Sequence, residues 1–182
     1  MKPLAPLIGI IGEGGRKMNS AEHLNLTDYA TPEAAFQKYA DEVYRLAFVR
    51  TGSQSDSDDI LQEVFLRYMR VWGKMQSEEH VKATLIRITV NCSNSLLTSA
   101  WFKKTQPLDE NIPAAEGYSD QNALSEVLKL PVKYRTVIHL YYYMGYSVTE
   151  IAELTKSNPS TVKTRLSRAR GRLKKALEAE DL

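Results

Sequence analysis

Between Pro32 and Val49 the residues Phe36, Tyr39, Val43, Leu46, Ala47 and Val49 recur mostly at three- and four-residue steps, which predicts an amphipathic helix. The stretch TGSQSDSDD breaks that helix and offers capping side chains for a second one, from about Asp56 to Trp72. Its apolar stripe is Ile60, Leu61, Val64, Phe65 and Tyr68. Asp58, Asp59, Gln62 and Glu63 form a polar, acidic edge near its start, where the helix dipole favours negative charge. After the loop GKMQSEEH a third helix is expected from about Val81 to Ser99, with Leu85, Ile88, Cys92, Leu96 and Ser99 on one face. Arg87, Asn91, Asn94 and Thr98 lie elsewhere on it and make its outer surface rich in amides and hydroxyls. No sustained period-two alternation appears, so the expected fold class is all-α.

The segment TQPLDENIPAAEGYSDQ has two prolines, a glycine and little apolar periodicity, and reads as a flexible acidic linker. It divides the chain into an unassigned extension over 1–31, a first domain over 32–104, the linker over 105–121 and a second domain over 122–178. In the second domain Leu124, Val127 and Leu128 lead into LPVKYRTVIHLYYYMGYS. There Pro131 suits a first helical turn, Val137, Ile138 and Tyr141 give the buried side, and Gly145 suits a C-terminal cap. Ser147 to Glu150 fits a capping box before a short helix with Ile151, Ala152 and Leu154. Asn158 and Pro159 then open a last helix, whose apolar stripe is Val162, Leu166, Ala169, Leu173 and Leu177.

Charge sharpens this reading. The 182 residues carry a net charge of only +2, so attraction to a polyanion has to come from the distribution of charge. Residues 156–175 hold Lys156, Lys163, Arg165, Arg168, Arg170, Arg172, Lys174 and Lys175 and no acid. Residues 105–122 hold Asp109, Glu110, Glu116 and Asp120 and no base. A short capped helix, a tight turn and a longer helix with an acid-free cationic face is the layout of a helix-turn-helix, whose second helix enters the DNA major groove. Ser160, Thr161, Lys163, Thr164, Arg165, Ser167 and Arg168 are the candidate base-edge readers, and basic residues further along, Arg172 among them, suit phosphates. The turn departs from the usual pattern: Lys156 stands where glycine is common, at a cost on the order of 1 kcal/mol if it is left-handed, and Ser157 stands where an apolar residue is common.

Other chemistry is excluded more than suggested. Cys92 is the single cysteine, so there is no internal disulfide and no multi-cysteine zinc site. His23, His80 and His139 are isolated, and His139, within VIHLYYY, is expected to pack in its helix. No Gly-rich phosphate loop or metal-ligand spacing appears. Catalytic residues, metals and cofactors are therefore not expected. The first apolar run ends at Ile11, too short to span a bilayer, so a cytoplasmic protein with no stable membrane insertion is expected. GEGGR before Met18 resembles a translated ribosome-binding sequence, which would make Met18 the start.

Two blocks carry a family resemblance. LKLPVKYRTVIHLYYYMGYSVTEIAELTKSNPSTVKTRLSRARGRLKKAL resembles region 4 of extracytoplasmic-function (ECF) sigma factors, a subfamily of the sigma-70 family. DDILQEVFLRYMRVW with VKATLIRITVNCSNSLLTSAWFKK resembles their region 2. The resemblance covers about residues 32 to 177. It implies a transcription initiation factor that binds core RNA polymerase, with Asp58, Asp59, Gln62 and Glu63 on the polymerase clamp and Phe65 holding the domain's own core. It further implies that the loop Lys74 to His80, with Arg87, Asn91, Asn94 and Thr98, reads the −10 element as melted single strand, and that Lys103 and Lys104 contact phosphate. The last helix would read the −35 element as duplex, and an anti-sigma factor would be a partner. Thr84 departs from the family, which usually has tryptophan there, and Trp72 and Trp101 are expected in the core. The competing reading is a stand-alone helix-turn-helix regulator with residues 20–104 as a sensing or dimerising domain; the acidic edge and the amide-rich third helix are unexplained by it.

Overall fold

The computed structural model describes residues 30–99 and 121–180. The extension up to residue 29, Trp101, Lys103, Lys104 and nearly all of the expected linker lie outside the described residues. Among the described residues the secondary structure is helical, with no strand. Helix α1 spans Pro32–Thr51, α2 Gln54–Tyr68 and α3 Glu78–Thr98, with a 3₁₀ turn over Trp72–Lys74 between the last two. In the C-terminal half α4 spans Gln121–Lys129, α5 Val132–Ile138, α6 Val148–Leu154 and α7 Pro159–Glu180, and a π-helical turn over His139–Tyr143 extends α5.

The helix boundaries follow local chemistry. The Thr31 hydroxyl accepts from the Ala34 N–H and Pro32 opens α1, which ends on Gly52 in the left-handed conformation at φ 73°. Ser53 caps α2 and Ser77 caps α3, each accepting a backbone N–H three residues on. The first two boundaries meet in a buried hydroxyl cluster: Ser57 Oγ donates to the Ser53 carbonyl at 2.5 Å and lies 3.2 Å from Thr51 Oγ1. Such satisfaction is what lets polar groups sit in a core.

Helices α1, α2 and α3 pack around Tyr39, Val43, Ile60, Val64, Tyr68, Val81 and Leu85, all buried. Tyr68 donates to the Ala30 carbonyl at 2.7 Å, and burial pushes its phenol up to about 12. Across the α1–α3 seam Lys38 pairs with Glu78 at 2.7 Å and Lys82 with Glu42 at 2.8 Å, while the Tyr39 hydroxyl donates to Glu78 at 2.9 Å. These exposed or half-exposed contacts fix register more than they add stability.

The C-terminal helices pack onto this unit through a continuous core. Leu46 of α1 and Ala83, Ile86 and Val90 of α3 share one apolar cluster with Val137, Leu140, Ile151 and Val162. Phe48 and Val49 of α1 pack on Leu124 and Leu128 of α4. Two arginines are buried in the seam. Arg50 Nη1 donates to Thr136 Oγ1 at 2.7 Å, and Arg135 Nη2 donates back to the Arg50 carbonyl at 2.7 Å.

Three aromatic side chains depart from the sequence reading. Phe36 is 48% exposed and meets Phe65 edge-on at 4.9 Å, lying over the core rather than inside it. Trp72, in the 3₁₀ turn, is 37% exposed. Tyr141 is 40% exposed because the backbone there changes to i→i+5 spacing, with the Met144 N–H on the His139 carbonyl at 3.1 Å. A wider turn rotates Tyr141 off the buried line. His139 itself is buried and stacks on Tyr143.

Candidate nucleic-acid and polymerase interfaces

Helix α7 is one-sided. Val162, Leu166 and Ala169 are fully buried against α5 and α6, which leaves Ser160, Lys163, Thr164, Ser167, Arg168 and Arg172 on the exposed side. Asn158 caps it, its Oδ1 accepting from the Ser160 N–H at 3.1 Å and from the Ser160 hydroxyl at 3.0 Å. Helix α6 starts with the full capping box of Ser147 and Glu150. Lys156 in the turn is left-handed at φ 49°, so the strain expected from the missing glycine is present.

Several α7 side chains have second attachments, Arg168 among them through the Tyr134 side chain. Thr161 and Arg165 are half-buried, and Arg165 Nη1 donates to Ser157 Oγ at 3.0 Å. Ser157 thus holds a charged side chain where an apolar residue would have plugged the turn. The Arg172 guanidinium lies over the Tyr134 ring at 5.4 Å, a cation–π contact that ties α7 to α5.

On α3 the side chains Arg87, Asn91, Asn94 and Thr98 are spaced four, three and four apart and form one stripe. Asn91, Asn94 and Thr98 are exposed and Arg87 is half-buried. His80 sits at the start of the same stripe, its Nδ1 buried without a hydrogen-bond partner; burial, and secondarily the Arg87 charge, holds its pKa below the ordinary histidine value. Lys74 is exposed on the 3₁₀ turn. Asn94 is not fully available: its Oδ1 accepts from Arg50 Nη2 at 2.6 Å.

On α2, Asp58, Asp59 and Gln62 are exposed, and Glu63 is half-buried with Arg67 Nε at 2.5 Å. Two residues absent from the sequence reading share this face. Leu66 and Met69, each 55% exposed, follow Gln62 by four and seven positions. Apolar residues at those offsets from an exposed polar position were the available signal. The face is a carboxylate edge running into two exposed apolar side chains.

Comparison with known proteins gives this arrangement a family. Residues 35–102 match the family model for sigma-70 region 2 and residues 121–173 that for sigma-70 region 4. The ECF RNA polymerase sigma factor SigM of Mycobacterium tuberculosis is 30% identical over 176 residues, covering 92% of this chain and 89% of the relative. The chain belongs to the ECF sigma factors. Another relative, SigW of Bacillus subtilis, is 32% identical over 163 residues, covering 76% of this chain and 84% of its own. Two solved structures share the fold of this sigma factor at 20% identity. One is RpoE of Bartonella quintana in complex with the anti-sigma factor NepR, with a TM-score of 0.69 over 80% of this chain and 96% of that one. The other is CnrH in complex with the cytosolic domain of CnrY, with a TM-score of 0.61 over 88% and 99%. Regions 2 and 4 in one chain leave the stand-alone regulator without support.

Proposed function

We propose that this sigma factor binds core RNA polymerase through the α2 face, directs it to a subset of promoters and helps open them. In this reading Asp58, Asp59, Gln62 and Glu63 meet basic polymerase residues, and Leu66 and Met69 add apolar contact beside them. Helix α7 reads the −35 element as duplex. The stripe from His80 to Thr98, with Lys74, holds the −10 element as single strand, where amides both donate and accept at unstacked base edges.

The observation that carries the reading is the exposed face of α7 over residues 159–175, which hold no acid, behind a capped α6 and joined in one chain to an α2 face of opposite charge. A cationic helix bound to DNA by phosphate contacts loses affinity steeply as salt rises. The protein supplies binding and positioning and no covalent chemistry of its own, and it works in the cytoplasm; no helix among the described residues is long and apolar enough to cross a membrane. An anti-sigma protein that covers these surfaces is the expected antagonist, a reading supported by the anti-sigma complex of the structural relative RpoE.

Two variants test the separation of tasks. Asp59→Lys is expected to weaken polymerase binding and leave DNA contacts intact, while Lys163→Ala is expected to weaken upstream promoter recognition and leave polymerase binding intact. Equal loss of polymerase affinity in both would contradict the assignment.

A further inference from the structure

A cleft of about 430 Å³ opens between the two halves of the molecule, bounded by α1, α3, α5 and the α6–α7 turn. Its charged lining is Arg50, Lys133, Lys156 and Arg165, with no carboxylate among the lining residues. Arg50 is 4% exposed, and the acceptors of its two terminal nitrogens are a hydroxyl and an amide, both neutral. Its Nε is buried without a hydrogen-bond partner. Behind it Arg135, 6% exposed, donates to the backbone carbonyls of Leu128 and Arg50, and its Nε is also unpartnered. Burial, with repulsion from Arg135, pushes the Arg50 guanidinium down to about 10, which still leaves it charged at neutral pH. Buried charges in proteins are normally paired. Here four cationic residues line one cavity, the Lys133 ammonium resting 5.4 Å from the centre of the Tyr134 ring, and nothing negative in the lining offsets them.

The lining also has apolar side chains, Val90 and Leu97 from α3 and Val132 and Val137 from α5. The volume lies within the roughly 300–1,000 Å³ of small-molecule sites. We propose that this cleft binds a small phosphate-bearing ligand, its phosphates on the cations of Arg50, Lys133, Lys156 and Arg165. Arginine forks and lysine point charges suit phosphate oxygens, and at the buried Arg50 a low-dielectric setting strengthens such a pair. The ligand bridges α1 and α5 to the turn before α7 and holds the two halves together. Because Asn94, Thr98 and Arg165 also line the cleft, an occupied cleft competes with promoter DNA; that consequence rests on the functional reading above, whereas the binding itself does not.

The test is calorimetric titration of the full chain with pyrophosphate and with ADP, at about 0.15 M salt to screen weak surface binding. A double variant, Lys133→Ala with Lys156→Asn, removes two cations at exposed positions, and asparagine tolerates the left-handed backbone at 156. Saturable one-to-one binding that weakens about tenfold or more in the double variant supports the site. Tighter binding of ADP than of pyrophosphate would identify a nucleotide as the source of the phosphate, and the reverse a bare inorganic anion. Urea melts of the variant establish that it is folded. Binding of neither probe, equal binding by both proteins, or binding of a glutamate-rich peptide in place of both probes would overturn the proposal.

Discussion

The Arg50 guanidinium in α1 donates to the Thr136 hydroxyl in α5 at 2.7 Å, across 86 residues of sequence. Thr136 in turn donates to the Val132 carbonyl at 2.7 Å, so one hydroxyl orients a buried charge and closes a helical turn. Thr136→Val keeps the shape and removes the acceptor. The orphaned guanidinium N–H should cost about 1–3 kcal/mol. Urea denaturation of the two proteins measures it, and an unchanged midpoint would show that the contact contributes nothing.

Lys156 is the non-glycine residue with positive φ among the described residues. Lys156→Gly should therefore stabilise the protein by up to about 1 kcal/mol, the strain relief being partly offset by the greater freedom of glycine in the unfolded chain. Thermal melting checks this. A lower Tm would mean that the lysine side chain contributes more than its backbone costs.

The helices and caps were legible in the sequence because their causes are local. Ser147 and Glu150, Asn158 and Pro159, and the left-handed Gly145 stand within a few residues of the groups they satisfy. The seam between the halves was not legible. Nothing in the local sequence marks Arg50 and Arg135 for burial, and the bonds that tie them across the seam join residues 85 and 86 apart. The same holds in part for the site: the spacing of Arg87, Asn91, Asn94 and Thr98 gave the stripe, whereas the engagement of Asn94 by Arg50 needed the fold. Tyr141 was misplaced because a 3.6-residue period was assumed where the chain forms a π-helical turn.

Acid should destabilise the protein through His139. Burial, with a smaller contribution from the Arg45 charge, pushes its folded pKa down to about 4, against about 6.5 when unfolded. The unfolded chain then binds more protons below pH 6.5, so this contribution is fully present above about 6.5 and is lost as pH falls toward 4. The slope approaches about 1.4 kcal/mol per pH unit within that window. His139→Gln should reduce the dependence between pH 6.5 and 5, leaving the part contributed by His80, whose pKa is also lowered; carboxylates such as Glu78, held below their ordinary value, titrate below this window. Parallel slopes for both proteins in urea melts would assign the acid sensitivity elsewhere.

Leu66 and Met69 should matter to the polymerase and little to the fold, since each is 55% exposed. Leu66→Ser is expected to change stability within about 0.5 kcal/mol. It should weaken core polymerase binding by about tenfold if the residue is an anchor of the interface. Competition against the unmodified protein for limiting core enzyme measures the ratio, and a ratio near unity would confine the interface to the acidic edge.

The most direct measurement is transcription reconstituted from purified bacterial core RNA polymerase, this protein and a pool of promoter fragments. The account predicts saturable binding to the core enzyme and transcripts from a defined subset of fragments, absent when the protein is omitted. Failure to bind polymerase, together with tight sequence-specific duplex binding by the free protein, would contradict it.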